Sequence, residues 1–288
     1  MRLISKSEIV EALKALGICP GDIVHVQSDL RSIGPVDAPL TREGQCGFYL
    51  EALHQVIGSE GTITCCTAFE DYGRFGTPFI REESPSRTDM LSEFLRVQPG
   101  ATRSIHPIVS VTAKGKKADE ICGGNHFNGF GYSSPWGRLH RANAKILTLG
   151  LGSNQGGTTF FHYVENLYGV PYTYTKIFQS HVISMGEKLK GPFTMAVRYL
   201  DFDIENTPIR IKNTMVKNKS ATEVKTGRSL SWCAPAKEIA AQMICLLDSD
   251  RWVMLERQPA FRPGVLPMDG KTGDPVKSYD LGNSKGAK

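Results

Sequence analysis

Residues 23–66 read IVHVQSDLRSIGPVDAPLTREGQCGFYLEALHQVIGSEGTITCC. Ile23–Gln27 (IVHVQ) is β-branched and apolar and reads as a strand. SDLRSIGPVDAP, 28–39, is a polar, glycine- and proline-punctuated loop. Tyr49–Ile57 carries apolar residues at helical spacing, and GSEGTITCC turns from that helix into a buried strand. Strand, helix, strand is a β–α–β unit. Two parallel strands need a long crossover, and a helix supplies it, so the stretch predicts parallel pairing and an α/β class.

A helix opens the chain before this unit. Ser5 and Glu8 form a capping box, Ile9, Leu13 and Leu16 repeat at helical spacing, and Gly17 offers a stop. Beyond it, 68–90 (AFEDYGRFGTPFIREESPSRTDM) is an unusually long loop, a length that usually serves function. A helix follows over about 89–97, then the strand IVSVTAKG, the short helix KKADEIC and the apolar strand AKILTLGLG. That strand runs directly into the helix TTFFHYVENLYG, 158–169. After GVPYTY the pattern changes: HVISM, FTMAVRYL and PIRI read as antiparallel strands, with a last helix in APAKEIAAQMICLLDS. The expected whole is one domain over 1–254: a layered α/β/α sandwich with a central, largely parallel or mixed sheet and an antiparallel, β-rich C-terminal part. Residues 255–288, rich in Pro, Gly and polar side chains, read as an extended arm or a disordered tail, and an arm of that kind is a candidate for holding a homodimer.

Composition bounds the function. The 288 residues suffice to bury an active site without disulfide or metal support. No apolar run approaches the roughly 18 residues of a membrane span, and the N-terminus is amphipathic rather than signal-like, so a cytoplasmic protein without membrane contact is expected. The net charge of +5 is mild and suits an anionic small ligand. No dense basic stripe argues for nucleic acid; KGKKADE is a solvated loop. Seven cysteines without a CxxC pair fit neither a disulfide framework nor a zinc ribbon.

Three segments carry chemistry. His162 and Glu165 in TTFFHYVEN are three apart, hence on one helix face, just after a strand end, where α/β sheets gather ligands. A buried structural His–Glu pair has the same spacing. A metal site needs more than HxxE supplies, and His106, His126 and Asp71, the other candidate ligands for a metal-dependent hydrolase, are scattered; no metal is expected. ATRSIHPIVSV clusters Arg103, Ser104, His106 and Ser110 where a loop enters a strand, a set that suits an anionic ligand and equally an ordinary loop. VHVQSDLRSIG ends a strand at Ser28 and Asp29, a usual place for a ligand loop or for a plain turn. GLGSNQGG lacks both GxGxxG and GxxxxGK[ST], so no nucleotide fingerprint is present.

Taken in order, GDIVHVQSDLRSIG, EGTITCCTAF, SPSRTDMLSEFLRVQPGATRSIHPIVSVTAKGKKADEI, SSPWGRLHRANAKILTLGLG and TTFFHYVENLYGVPY resemble the aminoglycoside 3-N-acetyltransferase (antibiotic N-acetyltransferase) family from about Leu16 to Tyr174. The resemblance implies an α/β fold distinct from the GNAT acetyltransferases. It implies transfer of an acetyl group from acetyl-CoA, or another acyl from its CoA ester, to a small-molecule amine, with antibiotic resistance as one setting. By the same resemblance Ser28, Leu30, Arg103, Ser104, His106 and Ser110 hold the coenzyme, with Asp29 counted among them from its place beside Ser28, while His162 and Glu165 face the acceptor as general base and supporting carboxylate.

Asp29 stands where the family tends to a second small or hydroxyl residue, PVDAPLTREGQ replaces a glycine-rich turn, and AFEDYGRFG departs from an aromatic and hydroxyl pattern. These segments correspond to the acceptor pocket or its rim, with Glu70, Asp71, Tyr72 and Asn166 as expected contacts. An amino-deoxy sugar or its nucleotide, as used in glycan biosynthesis, therefore stands beside an aminoglycoside as acceptor. A non-catalytic CoA-binding relative is the reading from another class. The chemistry sets its own demand: an ammonium has no lone pair to attack a thioester, so a base must take its proton, and histidine titrates in the right range. The thioester oxygen also needs donors, for which the backbone N–H groups of the Ser28 and Ser104 loops are candidates.

Overall fold

The structure is a computed structural model of the chain, and it describes residues 2–152, 157–199 and 204–261. Helix α1 (Lys6–Ala15) starts at the expected Ser5–Glu8 capping box. Strand β1 (Ile23–Ser28) leads through a single helical turn, α2 (Leu30–Ile33), to α3 (Arg42–Ile57) and β2 (Thr62–Cys66). Strands β1 and β2 pair in parallel, Ile23 against Thr62 and Val26 against Cys65, as the β–α–β pattern predicts. Helix α3 begins seven residues before the expected Tyr49, capped by the Thr41 hydroxyl. Gly44 and Gly47 disguise its first turns, and Gly44 is glycine for a reason of space: a Cβ there would lie 2.5 Å from the Pro39 carbonyl oxygen.

The long loop after β2 is partly ordered into α4 (Glu70–Phe75) and β3 (Phe79–Ile80). There follow α5 (Met90–Arg96), β4 (Thr102–Arg103), β5 (Val111–Gly115), α6 (Ala118–Cys122), α7 (Pro135–Arg141), β6 (Lys145–Leu149) and α8 (Thr159–Tyr168). The C-terminal part contributes β7 (Thr173–Phe178), β8 (Val182–Ser184), β9 (Glu187–Lys188) and β10 (Phe193–Arg198), then α9 (Ile209–Lys217), β11 (Thr222–Thr226), β12 (Ser229–Pro235) and α10 (Ala236–Ser249).

The central sheet has seven strands in the order β11-β12-β6-β1-β2-β5-β4. Its middle, β6-β1-β2, is parallel, and β12, β11, β5 and β4 are added antiparallel on either side. The sheet is therefore mixed. Alternating side chains sort to two cores. Val24, Val26, Ile63, Cys65, Leu147 and Cys233 meet α1, α3 and α5 on one face. Ile23, Ile146, Trp232 and Ala234 meet α6, α7, α8 and α10 on the other. Burial of these two apolar faces, at about 25 cal/mol per Å², is the main term holding the layers together.

One expected strand is corrected. PIRI opens helix α9, where Ile211 and Met215 are four apart on one buried face. A four-residue apolar run cannot distinguish a period of 2 from one of 3.6. The antiparallel expectation holds for FTMAVR, which pairs with β7, and VIS pairs antiparallel with β9. Leu255 is buried and bridges Asn206, while residues 262–288 of the expected arm or tail lie outside the described residues. No helix among the described residues is long and apolar enough to cross a membrane.

Candidate active site

The carboxyl ends of β1, β2 and β6 converge at one edge of the sheet, and α8 starts there. Gly150, at the end of β6, has φ +82°, and a Cβ on it would lie 2.5 Å from the Asp29 carbonyl oxygen. Only a glycine lets the β6 end come this close to the β1 corner. Gln27, the next-to-last residue of β1, accepts a hydrogen bond from the Thr159 N–H at 3.1 Å and so ties the strand to the first turn of α8. The Thr158 hydroxyl caps the same helix from the Phe160 N–H.

Helix α8 turns Phe160, Phe161, Tyr163 and Val164 into the core and carries His162 to the edge of a cleft of about 350 Å³. One wall of the cleft is Gln27, Thr158, Thr159, Phe161 and His162; the other is Asn206–Ile209 with Met254. The second wall is stapled together: Thr207 N–H donates to the Met254 carbonyl at 2.7 Å, and Asn206 bridges Leu255.

His162 Nδ1 lies 2.6 Å from Glu165 Oε2; the histidine side chain is 40 % exposed and the glutamate 2 %. The other carboxylate oxygen accepts from the Tyr172 hydroxyl, also at 2.6 Å. With Nδ1 committed as donor to the carboxylate, Nε2 carries the ring's lone pair. That geometry can orient a base: an imidazole at the cleft edge and a carboxylate hidden from water behind it. Burial and the Glu165 carboxylate together push the Tyr172 phenol far above the ordinary tyrosine range, so it remains a donor.

Of the residues expected at the site, His162 lines this cleft and Glu165 stands directly behind it. The others are elsewhere. Ser28 ends β1 and gives its N–H to Asp89 Oδ2 at 3.2 Å; Asp29 caps α2, and Leu30 is buried. Arg103 is buried, with Nε on Ser110 Oγ at 3.1 Å, Nη2 on the Thr67 carbonyl at 2.6 Å, Nη1 on the Arg81 and Ser84 carbonyls, and its guanidinium over the Phe79 ring. Burial pulls its titration down to about 9, which leaves it a cation at neutral pH. Ser110 also donates to the Thr67 carbonyl at 2.6 Å, and Ser104 Oγ accepts from the Val111 N–H at 2.9 Å. His106 is buried, with Nε2 on the Thr194 carbonyl at 3.1 Å and Nδ1 accepting from the Val109 N–H; burial takes its titration down to about 3.

Glu70 pairs with Arg74, Asp71 with Arg87, and Tyr72 is buried with its hydroxyl on the Ser180 carbonyl at 2.8 Å. Asn166 donates to the Phe130 carbonyl. The N–H groups of Ser28, Asp29 and Ser104, expected as donors to a thioester oxygen, are committed within the protein to Asp89, Leu149 and Val111. Gln27 lines the cleft with its carbonyl held by Thr159, and its NH2 group has no hydrogen-bond partner among the described residues. No three His, Cys, Asp or Glu side chains converge as a metal site among the described residues.

The model of the family described as aminoglycoside 3-N-acetyltransferase matches residues 24–248. The chain belongs to the aminoglycoside 3-N-acetyltransferase family. Among its relatives, aminoglycoside N(3)-acetyltransferase III of Salmonella is 29 % identical over 190 residues, 58 % of this chain and 62 % of that protein. The SPbeta prophage-derived aminoglycoside N(3')-acetyltransferase-like protein YokD of Bacillus subtilis is 32 % identical over 190 residues, 58 % of this chain and 66 % of that protein. Aminoglycoside N(3)-acetyltransferase IV of Salmonella is 26 % identical over 254 residues, 87 % of this chain and 90 % of that one. The match thus spans 62 % of the length of the first relative. In fold, the chain follows AAC-IIIb in its binary complex with CoASH, with a TM-score of 0.72 at 22 % identity over 90 % of this chain and all of that one.

For this family member, sequence reasoning missed Gln27, Tyr172, Asn206 and Thr207. Tyr172 lies inside TTFFHYVENLYGVPY, and Gln27 is a polar residue near the end of the strand IVHVQS, so both left a trace. Asn206 and Thr207 left none, because their wall is assembled from segments remote from α8.

Proposed function

We propose that the chain is an acyl-CoA-dependent N-acetyltransferase acting on an amine of an aminoglycoside or a related amino sugar. The observation that carries this is the His162–Glu165 pair at the cleft edge, an oriented base at the strand ends of a member of this family. As the amine attacks the thioester carbonyl, His162 Nε2 takes its proton. The imidazolium so formed is stabilised by Glu165 through Nδ1, worth typically 10²–10⁴-fold for positioned proton transfer. The tetrahedral intermediate then collapses, the C–S bond breaks and the proton passes to the CoA thiolate. The Gln27 NH2 group is proposed as a donor to the oxyanion.

A cleft of about 350 Å³ is at the small end of ligand pockets and fits the reacting ends of both substrates rather than a whole coenzyme. The remainder of acyl-CoA is proposed to run over the Ser28–Leu30 corner. Arg103 and Ser110 hold the Thr67 carbonyl just past β2, Arg103 also the 81–84 turn, and Ser104 and His106 the Val111 and Val109 N–H groups, so this set is proposed to support the coenzyme's path rather than touch it.

Thiol release from acetyl-CoA, followed across a panel of aminoglycosides and amino-sugar nucleotides, tests the proposal. Amine-dependent release is expected with at least one class, and the class that supports it names the acceptor. Tight CoA binding with no release for any amine would leave the non-catalytic binding reading in its place.

A further inference from the structure

Glu165 is a carboxylate with almost no contact with water, and each of its oxygens has one short partner: His162 Nδ1 on Oε2 and the Tyr172 hydroxyl on Oε1, both at 2.6 Å. Tyr172 is itself fully buried. Its ring lies 6.0 Å from that of Trp252, on the segment whose Met254 forms the far wall of the cleft. The tyrosine thus sits between α8 and the opposite wall, with its side chain's one polar atom on the carboxylate.

We propose that Tyr172 is a positioning residue for the reaction: its hydroxyl fixes the Glu165 carboxylate, and through it the orientation and basicity of the His162 ring. The inference rests on His162 acting as the base. A carboxylate with one donor can rotate about its last bond and share either oxygen with the imidazole. With Oε1 held by Tyr172, Oε2 is the oxygen left for Nδ1, and Nε2 is aimed at the cleft. The hydroxyl also draws negative charge away from the histidine. It stabilises the pair most when the imidazole is neutral, which is the state that accepts a proton. The other charged groups acting on this phenol are Arg198, from β10, and Asp250, from the segment after α10.

The replacement Tyr172→Phe keeps the ring against Trp252 and removes the donor. Tyr168→Phe, at the last residue of α8, is the comparator, since the Tyr168 hydroxyl bonds the Leu247 carbonyl and Asp248. Tyr172→Phe is expected to lower kcat about 10-fold with KM values nearly unchanged, and to move the acidic limb of the pH profile up by about one unit. The pH at which the His162 ring resonances titrate by NMR moves the same way. Tyr168→Phe moves neither. A fluorotyrosine at 172, a stronger donor of nearly the same shape, moves the midpoint down and keeps the measurement open if the Phe variant folds poorly. A lowered melting temperature with limb and midpoint both unmoved would overturn the proposal and leave Tyr172 a packing residue. If the NMR midpoint moves while the kinetic limb stays, the contact with the pair stands and it is His162 as base that fails.

Discussion

Glu165 and Arg103 show two ways a buried charge is kept. Glu165 is held by two donors and touches His162 at the cleft edge, whereas Arg103 is buried and held by carbonyls and a serine. Their substitutions should separate. Glu165→Gln keeps shape but loses the charge that stabilises imidazolium; kcat is expected to fall about 100-fold or more with KM for acyl-CoA changed little. Equal losses in coenzyme affinity and turnover would reassign it. Arg103→Lys cannot fork to four acceptors and should destabilise by about 3 kcal/mol or more in urea unfolding, with KM in the folded fraction nearly unchanged. Helical spacing put His162 and Glu165 on one face, but it was their place after a strand end and the resemblance of the surrounding motifs to a family that made them legible as a site rather than a structural pair. It left Arg103 ambiguous because a lone arginine beside serines has the same composition whether its partners are a ligand or its own carbonyls.

The elements around the site were read well where local signals were strong and poorly where long-range packing decided. The Ser5–Glu8 box, the β1–α3–β2 unit and α8 followed from pattern alone. Helix α9 did not, since its buried face shows only when Met215 is counted with Ile211. Helix α5 links element to site: Asp89 caps it through the Ser92 N–H and also accepts the Ser28 N–H at the end of β1. Asp89→Ala removes both contacts. It is expected to cost about 1–2 kcal/mol of stability, as for a lost cap, and to raise KM for acyl-CoA more than it lowers kcat. Unchanged kinetics would detach the Ser28–Leu30 corner from coenzyme binding.

Across the whole molecule, three histidines are sealed in or beside the core, and burial holds each titration low: His25 and His106 at about 3, His126 at about 4, against an ordinary 6.5. The unfolded chain takes up protons below pH 6.5 that the folded chain refuses. Stability is therefore full above that pH and falls as pH drops toward 4, by up to about 1.4 kcal/mol per unit for each histidine. Urea midpoints at pH 5 should lie clearly below those at pH 7.5, and a flat profile would contradict this burial. The mixed sheet also explains which large features the sequence conveyed. The parallel middle was written in one contiguous stretch, but the far wall of the cleft joins residues 206–209 to Met254, and no local pattern announces that meeting. The central claim, that a histidine at the strand ends takes the proton from an acceptor amine, is tested most directly by single-turnover acetyl transfer with His162→Gln beside the unaltered protein, on the best acceptor and with folding verified. A loss of 100-fold or more in the transfer step, with acetyl-CoA still bound, is the expected result; transfer at near-unaltered rate would contradict it.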